Sequence, residues 1–293
     1  MKTRAAEARA GYLFAMPWII GFGIFLAYPI FASIYFSFTE YSVLKPAVWT
    51  GGENYGTLVY DEVFWKTLVN TLFFAVFFVP VATFVALGLA LLLNAKVKFM
   101  AIYRTVFFVP SLVPVVSMVI LWIWLFNGEY GLINTILGWV GVDGPNWLGD
   151  PKWSKPAIIF MSTWGVGNAM IIYLAGLQEV PLSLYEAADI DGATPWRKTL
   201  SVTFPLLSPV ILFNVVMSII GSLQIFTQPY LMSENGSPAR SIYFYSMYLF
   251  DNAFKYHKMG YASAMAWIMF VIIFGLTLLA LRMSEKYVHY EGG

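Results

Sequence analysis

Six stretches of this chain run for twenty or more residues without a single Asp, Glu, Lys, Arg or His: Tyr12–Phe38, Leu68–Leu93, Thr105–Phe126, Pro156–Leu177, Pro205–Gln228 and Ala262–Leu281. Crossing a bilayer as a helix takes about 20 predominantly apolar residues, and inside the bilayer the backbone must satisfy its own hydrogen bonds. An all-α, polytopic membrane protein with six transmembrane helices is therefore expected. Composition agrees, since 59% of the 293 residues are hydrophobic and only 11% are charged. Soluble domains carry about 25% charged residues. The mean hydropathy of +0.71 points the same way.

Placement of the charges narrows the function. All 17 basic and 16 acidic residues fall outside the six stretches. Proton relays and many ion-coupled transporters keep an ionisable group at membrane depth, and this chain has none there. If it moves solute uphill, the energy enters from outside the bilayer. The net charge of +1 gives no basis for nucleic-acid binding. The absence of cysteine removes disulfides, thiol catalysis and thiolate metal sites, and two histidines, His257 and His289, leave little for a metal centre or a triad. Nothing in the sequence calls for a cofactor.

Lys2, Arg4, Arg9, Lys96, Lys98, Arg104, Arg197, Lys198, Arg282 and Lys286 lie on one side of the expected spans. Seven basic residues lie opposite, in mostly longer loops: Lys45, Lys66, Lys152, Lys155, Arg240, Lys255 and Lys258. The positive-inside rule puts the first set, and both termini, in the cytoplasm. The first apolar run is too long for a signal-peptide core and is read as a retained helix.

Three segments, Thr39–Lys66, Asn127–Lys155 and Tyr230–Gly260, then face outward. Their Trp and Tyr residues suit the headgroup region, where amphipathic rings prefer to lie, or a partner docked on the outer face. Prolines at 17, 29, 80, 110, 114, 205 and 209 punctuate the spans. Membrane helices tolerate such breaks where neighbours satisfy the freed carbonyls.

The most informative segment is the cytoplasmic loop 178–204. Ser183 with Glu186 reads as a capping box, so a helix is expected from Leu184. Tyr185, Ala188 and Ala187 fall on one face, and Glu186, Asp189 and Asp191 mostly on another. Asp189, near the helix end, opposes the macrodipole. Gly192 can adopt the left-handed conformation that terminates a helix. Thr194 as N-cap with Pro195 at the first position then starts another. The product is a short helix-turn-helix at the membrane surface. Ala187 and Ala188 leave room for another surface to approach.

These residues resemble the signature of the membrane subunits of binding-protein-dependent ABC importers, E-A-A-x-x-x-G followed after nine residues by I-x-L-P. The chain has Glu186–Ala187–Ala188, Gly192 and Val202–Thr203–Phe204–Pro205. Val and Phe replace Ile and Leu and keep the apolar character. The extended form from Tyr185 to Ala193 is similar to the sugar-uptake branch, which also includes glycerol-phosphate importers. Pro29, Asn54–Tyr55, Asn70–Thr71, Arg104, Pro110, Gly131 and Asn134 carry the resemblance over almost the whole chain.

The resemblance implies one transmembrane permease domain over residues 1–293. Tyr185, Glu186, Ala187, Ala188, Asp191 and Gly192 would form a coupling helix and its turn, seated on a cytoplasmic ATP-binding subunit dimer. Further implied partners are a second, non-identical permease subunit and an extracytoplasmic solute-binding protein. No G-x-x-x-x-G-K-[ST] phosphate loop is present, so ATP hydrolysis would belong to the partner.

On the fifth stretch, Asn214, Ser218, Gly221, Gln224 and Gln228 share an arc of about 120° at ~100° per residue, and Asn168 adds an amide from the fourth. Neutral amides and hydroxyls suit a sugar; they also serve as hydrogen-bonding glue between helices. The absence of intramembrane Arg or Lys disfavours an anionic substrate. Two other classes stay open: a stand-alone channel or facilitator for a small neutral solute, which has no need of the capped loop, and a membrane-embedded enzyme, for which no nucleophile, base and metal set is present.

Overall fold

The computed structural model describes residues 2–95 and 97–285. Lys96, Lys286 and His289 lie outside the described residues. Among the described residues, four helices are long and apolar enough to cross a membrane, and two bent helix pairs raise the number to six when each pair counts as one crossing. The chain divides into two compact units, one built from residues up to Asp61 with Leu249–Val271, the other from Glu62–Tyr248 with the residues from Ile272 onward.

In the first unit, the Lys2–Phe22 helix continues through a π-turn, Gly23–Ala27, into the Tyr28–Ser37 helix. Its apolar side chains from Tyr12 to Phe31 are mostly exposed. A helix that is apolar all round and uncovered by its own chain suits a lipid or protein environment. A two-stranded hairpin follows, Thr39–Ser42 paired antiparallel with Lys45–Trp49, which the all-helical expectation lacked. The Glu53–Tyr60 helix pins it: the Asn54 amide donates to the carbonyls of Ser37 and Thr39, each at 2.9 Å, and the Tyr55 hydroxyl donates to Ser37 Oγ at 2.9 Å. The Tyr261 hydroxyl donates to Asp61 Oδ2 at 2.5 Å. A Cβ at Gly260 would lie 2.0 Å from the Thr39 carbonyl oxygen, so only glycine fits there.

The second unit is organised on the 32-residue helix Glu62–Leu93, which runs uninterrupted past Pro80. Ala82, Ala86 and Ala90 line its contact with Met170, Tyr173, Leu174 and Leu177 of the Gly167–Glu179 helix and with Leu207 of the Phe204–Leu223 helix. Small residues at such contacts let membrane helices approach closely. A second cluster joins Phe74, Val119, Trp122, Phe126, Ile158, Met161 and Phe244. Arg104 donates twice to the Leu93 carbonyl, at 3.0 and 3.3 Å, and so caps the end of the long helix.

Three of the six expected spans are broken, the third of them beside the prolines at 110 and 114. The third bends by 96° between Met100–Leu112 and Val115–Leu125. Val113 is extended there (φ −69, ψ 127), as a residue preceding proline prefers. The fourth bends by 48° at Gly165–Val166, between Pro151–Trp164 and Gly167–Glu179. The fifth ends at Leu223, and a short helix, Thr227–Met232, follows after Gln224–Phe226. A continuous helix would drive the ring of Pro229 against the carbonyl of Ile225; the break removes that clash.

The aromatic run from Tyr243 also departs from the headgroup expectation. Tyr243, Phe244 and Tyr245 are all buried. Asn70 donates to the carbonyls of Arg240 and Tyr243 at 2.8 and 2.9 Å, the Tyr245 N–H donates to Thr71 Oγ1 at 2.9 Å, and Ser154 and Ser241 share a hydrogen bond of 2.7 Å. The segment is protein core, held by the second and fourth spans.

Candidate functional site

The loop after the fourth span folds as a helical hairpin. Its first helix is Leu182–Ile190, two residues earlier than the Ser183–Glu186 capping box predicts. Val180 is extended before Pro181, and Pro181 takes the N-cap position with no side-chain cap, so Ser183 falls inside the first turn. The end of this helix follows the expectation. Gly192 adopts φ +69, its N–H donates to the Asp189 carbonyl at 3.0 Å, and the Ala193 N–H donates to the Ala188 carbonyl at 2.9 Å. That pair of reversed bonds is a Schellman cap. Thr194 then caps the Pro195–Lys198 helix, its Oγ1 accepting from the Arg197 N–H at 3.4 Å.

The two faces of the first helix differ. Glu186, Ala187, Ile190, Asp191 and Gly192 are exposed, while Tyr185 and Ala188 are half-buried. The Tyr185 and Thr203 hydroxyls share a hydrogen bond of 2.9 Å. Asp189, whose charge opposes the helix dipole, is paired with the Lys198 ammonium. Thr203 closes a π-turn, Thr199–Thr203, that runs directly into the Phe204–Leu223 helix. Sequence reasoning missed Lys198 and Thr203 as members of the site; they are five positions apart, a spacing that a regular helix puts on different faces.

The polar residues of the fifth span do not form one continuous arc, because the break at Gln224–Phe226 separates Gln224 from Gln228. They divide between two cavities. One, of about 190 Å³, is lined by Asn168, Asn214 and Ser218 together with Thr83, Ser162 and Tyr173. The other, of about 360 Å³, is lined by Gln224 and Gln228 with Ser111, Ser162, Gly165 and Gly221. Phe78, Ser162 and Gly165 border both. All three helix breaks contribute to the second cavity: Pro110–Val113 from the third span, Gly165 from the fourth and Gln224–Phe226 from the fifth. Irregular backbone at membrane depth is tolerated where it lines a cavity. Asn214 is buried and donates to the Val210 carbonyl at 2.9 Å, within its own helix. The Thr83, Ser162 and Tyr173 contributions have no sequence signal, since lone polar residues in apolar helices are ordinary glue.

A larger cavity of about 670 Å³ lies within the first unit, between the hairpin and residues 257–261, with Glu40, Lys45, Glu53, His257 and Lys258 on its wall. None of the expected coupling or substrate-path residues lines it. Among the described residues, no group of three or more His, Cys, Asp or Glu is placed to hold a metal.

A transmembrane bundle whose broken fifth helix begins in a capped, surface-exposed hairpin is the arrangement that the signature Glu186–Gly192 implied. Residues 79–288 match the family described as binding-protein-dependent transport system inner membrane component. The chain belongs to that family. This inner membrane component is 41% identical over 286 residues to the probable ABC transporter permease protein YesP of Bacillus subtilis, covering 96% of this chain and 92% of YesP. It is 37% identical over 276 residues to the lactose transport system permease protein LacF of Rhizobium radiobacter, with 92% of each chain covered. It is 36% identical over 273 residues to the sulfoquinovosyl glycerol transport system permease protein SmoG of Agrobacterium fabrum, covering 92% of this chain and 88% of SmoG. Its fold is that of a chain in the crystal structure of a bacterial alginate ABC transporter in complex with an alginate pentasaccharide-bound periplasmic protein. The TM-score is 0.87 at 24% identity, over 98% of this chain and 97% of that one.

Proposed function

We propose that this inner membrane component carries a sugar or oligosaccharide into the cell, with the work done by ATP hydrolysis on a separate subunit dimer docked on the hairpin 182–198. The observation that carries the reading is the continuity of one element: an exposed capped hairpin feeds through Thr203 into the helix that bears Asn214 and Ser218. Neutral amides and hydroxyls around a cavity can exchange hydrogen bonds with sugar hydroxyls without the cost of burying a charge. The names of the relatives, which transport lactose or sulfoquinovosyl glycerol, support a carbohydrate.

A second, non-identical permease subunit completes the translocation path, and a solute-binding protein delivers the sugar from outside. Both termini and the hairpin lie in the cytoplasm, where the basic residues concentrate. The cycle is an exchange between two states of the bundle. Closure of the ATP-bound dimer moves the hairpin, and the cavities open to the outside; hydrolysis reverses the movement and releases sugar inward.

The test is uptake by proteoliposomes that hold the complete complex and enclosed ATP, with labelled mono- and oligosaccharides offered on the binding protein. ATP-dependent accumulation of a carbohydrate is expected. Equilibration of a solute without ATP would instead mark a facilitator.

A further inference from the structure

The hairpin is tied to the fifth span by two rungs and a π-turn, and we infer that these make it a rigid lever, with Tyr185, Asp189, Lys198 and Thr203 as positioning residues for coupling. The inference rests on the reading that the hairpin docks an ATP-binding subunit, and it adds how movement would leave the docking helix. One rung is the hydrogen bond between Tyr185 and Thr203, with Thr203 buried; the other is the ion pair between Asp189 and Lys198. Tyr185 and Asp189 are one helical turn apart, about 40° around the helix at ~100° per residue, so both can face the returning segment.

The partners have a different spacing. Lys198 and Thr203 are five residues apart and would lie about 140° from one another on an α-helix. Only one rung would then form. The Thr199–Thr203 turn is a π-turn, in which the Phe204 N–H reaches back to the Thr199 carbonyl. Its wider winding brings positions five apart toward a common face. One extra residue in the turn therefore lets two rungs form where a regular helix allows one. The helix that follows carries Leu207 into the core beside Ala86 and Tyr173, and Asn214 and Ser218 to the cavity wall. A displacement of helix 182–190 is in this way applied to the cavity-lining helix without an intervening flexible joint.

An exposed ion pair contributes little stability by itself, so a purely structural role and a positioning role give different results. In proteoliposomes of the whole complex, the quantity read is sugar taken up per ATP hydrolysed, which is independent of how much complex assembles. The single change Asp189→Lys is expected to lower that ratio by roughly 5-fold or more, the lower end of typical coupling effects. The swap Asp189→Lys with Lys198→Asp is expected to restore it. Tyr185→Phe and Thr203→Val each lower it, and deletion of Ser201, which converts the π-turn to a regular one, lowers it most. Wild-type ratios in all of these variants, whatever their assembly, would overturn the inference.

A second measurement needs no substrate. Because the chain has no cysteine, spin labels at Ser183→Cys and Phe213→Cys report one distance across the lever. That distance is expected to stay narrow and unchanged between nucleotide-free and ATP-bound complex, and to broaden when Ser201 is deleted. A wild-type distance that changes with nucleotide would overturn the lever. Failure of the wild-type complex to take up any sugar would count against the transport reading alone, and the spin-label distance would still decide the lever.

Discussion

The side-chain amide of Asn70 donates to the main-chain carbonyl of Tyr243 at 2.9 Å, across 173 residues of chain. The same amide reaches the Arg240 carbonyl at 2.8 Å, and the adjacent Thr71 hydroxyl accepts from the Tyr245 N–H at 2.9 Å. Two neighbouring polar residues on the longest helix thereby replace the secondary-structure bonds that the irregular segment 240–245 lacks. Replacing Asn70 with Ala removes both of these bonds and leaves the Arg240 carbonyl with the Tyr243 N–H at 3.3 Å, a loss of about 0.5–1.5 kcal/mol per bond. A clearly lowered midpoint of thermal unfolding in detergent is expected for Asn70→Ala, and an unshifted midpoint would contradict the clamp.

Gly167 lies where the broken third span crosses the fourth. A Cβ there would lie 3.1 Å from both the Phe107 carbonyl oxygen and Phe108 Cα, and backbone has little freedom to retreat. Gly167→Val should destabilise the protein by about 1–3 kcal/mol, as over-packed sites do. Gly138, inside the Leu132–Trp139 helix, has open space around its Cβ position. Gly138→Ala should stabilise by roughly 0.5–1 kcal/mol. The opposite signs of the two shifts, read by the same thermal assay, check the packing.

At Gly192 the constraint is conformational rather than steric. Its φ is +69 and nothing lies within 4 Å of a Cβ built there. Left-handed backbone costs an L-residue roughly 1–2 kcal/mol. Gly192→Val should therefore leave membrane insertion intact while altering the hairpin, and substrate-stimulated ATP hydrolysis by the assembled complex should fall. Gly192→Asn, which tolerates this conformation, should keep most of it. Unchanged stimulation in Gly192→Val would remove the turn from the coupling path.

For the cavities, Asn168→Ala, Asn214→Ala and Gln228→Ala should each change the half-saturating sugar concentration for uptake, with subunit assembly preserved. One hydrogen bond to a neutral sugar hydroxyl contributes about 0.5–1.5 kcal/mol, so the shift should be roughly 2- to 12-fold per residue. Wild-type uptake in all three variants would assign these side chains to helix packing.

Much of the architecture was legible in the chain because charge is such a strong signal: no ionised group lies in any of the six stretches, and Gly192 with Thr194–Pro195 marked the hairpin turn. Proline was less informative. Pro80 lies within an unbroken helix while Pro114 sits at a break, as the N-cap of Val115–Leu125, and the difference rests on neighbours that local sequence does not name. The Ser183–Glu186 capping box lost to Pro181, whose restriction on Val180 starts the helix sooner. Burial of Tyr243–Tyr245 was hidden because the same aromatics suit a headgroup layer, and the deciding partners, Asn70 and Thr71, are distant in sequence. The hydrogen bond of Tyr185 with Thr203 spans a π-turn, and no residue type announces such a turn.

In the proposed mechanism, the hairpin is the contact through which an ATP-binding subunit drives transport. A photo-crosslinking amino acid at Ala187, exposed on the outward face of the docking helix, reads that contact directly in membranes containing the intact complex. A covalent product between this chain and the ATP-binding subunit is expected, well above any product from the same probe at Phe213. Equal yields from the two positions, or a product from Ala187 that lacks an ATP-binding subunit, would contradict it.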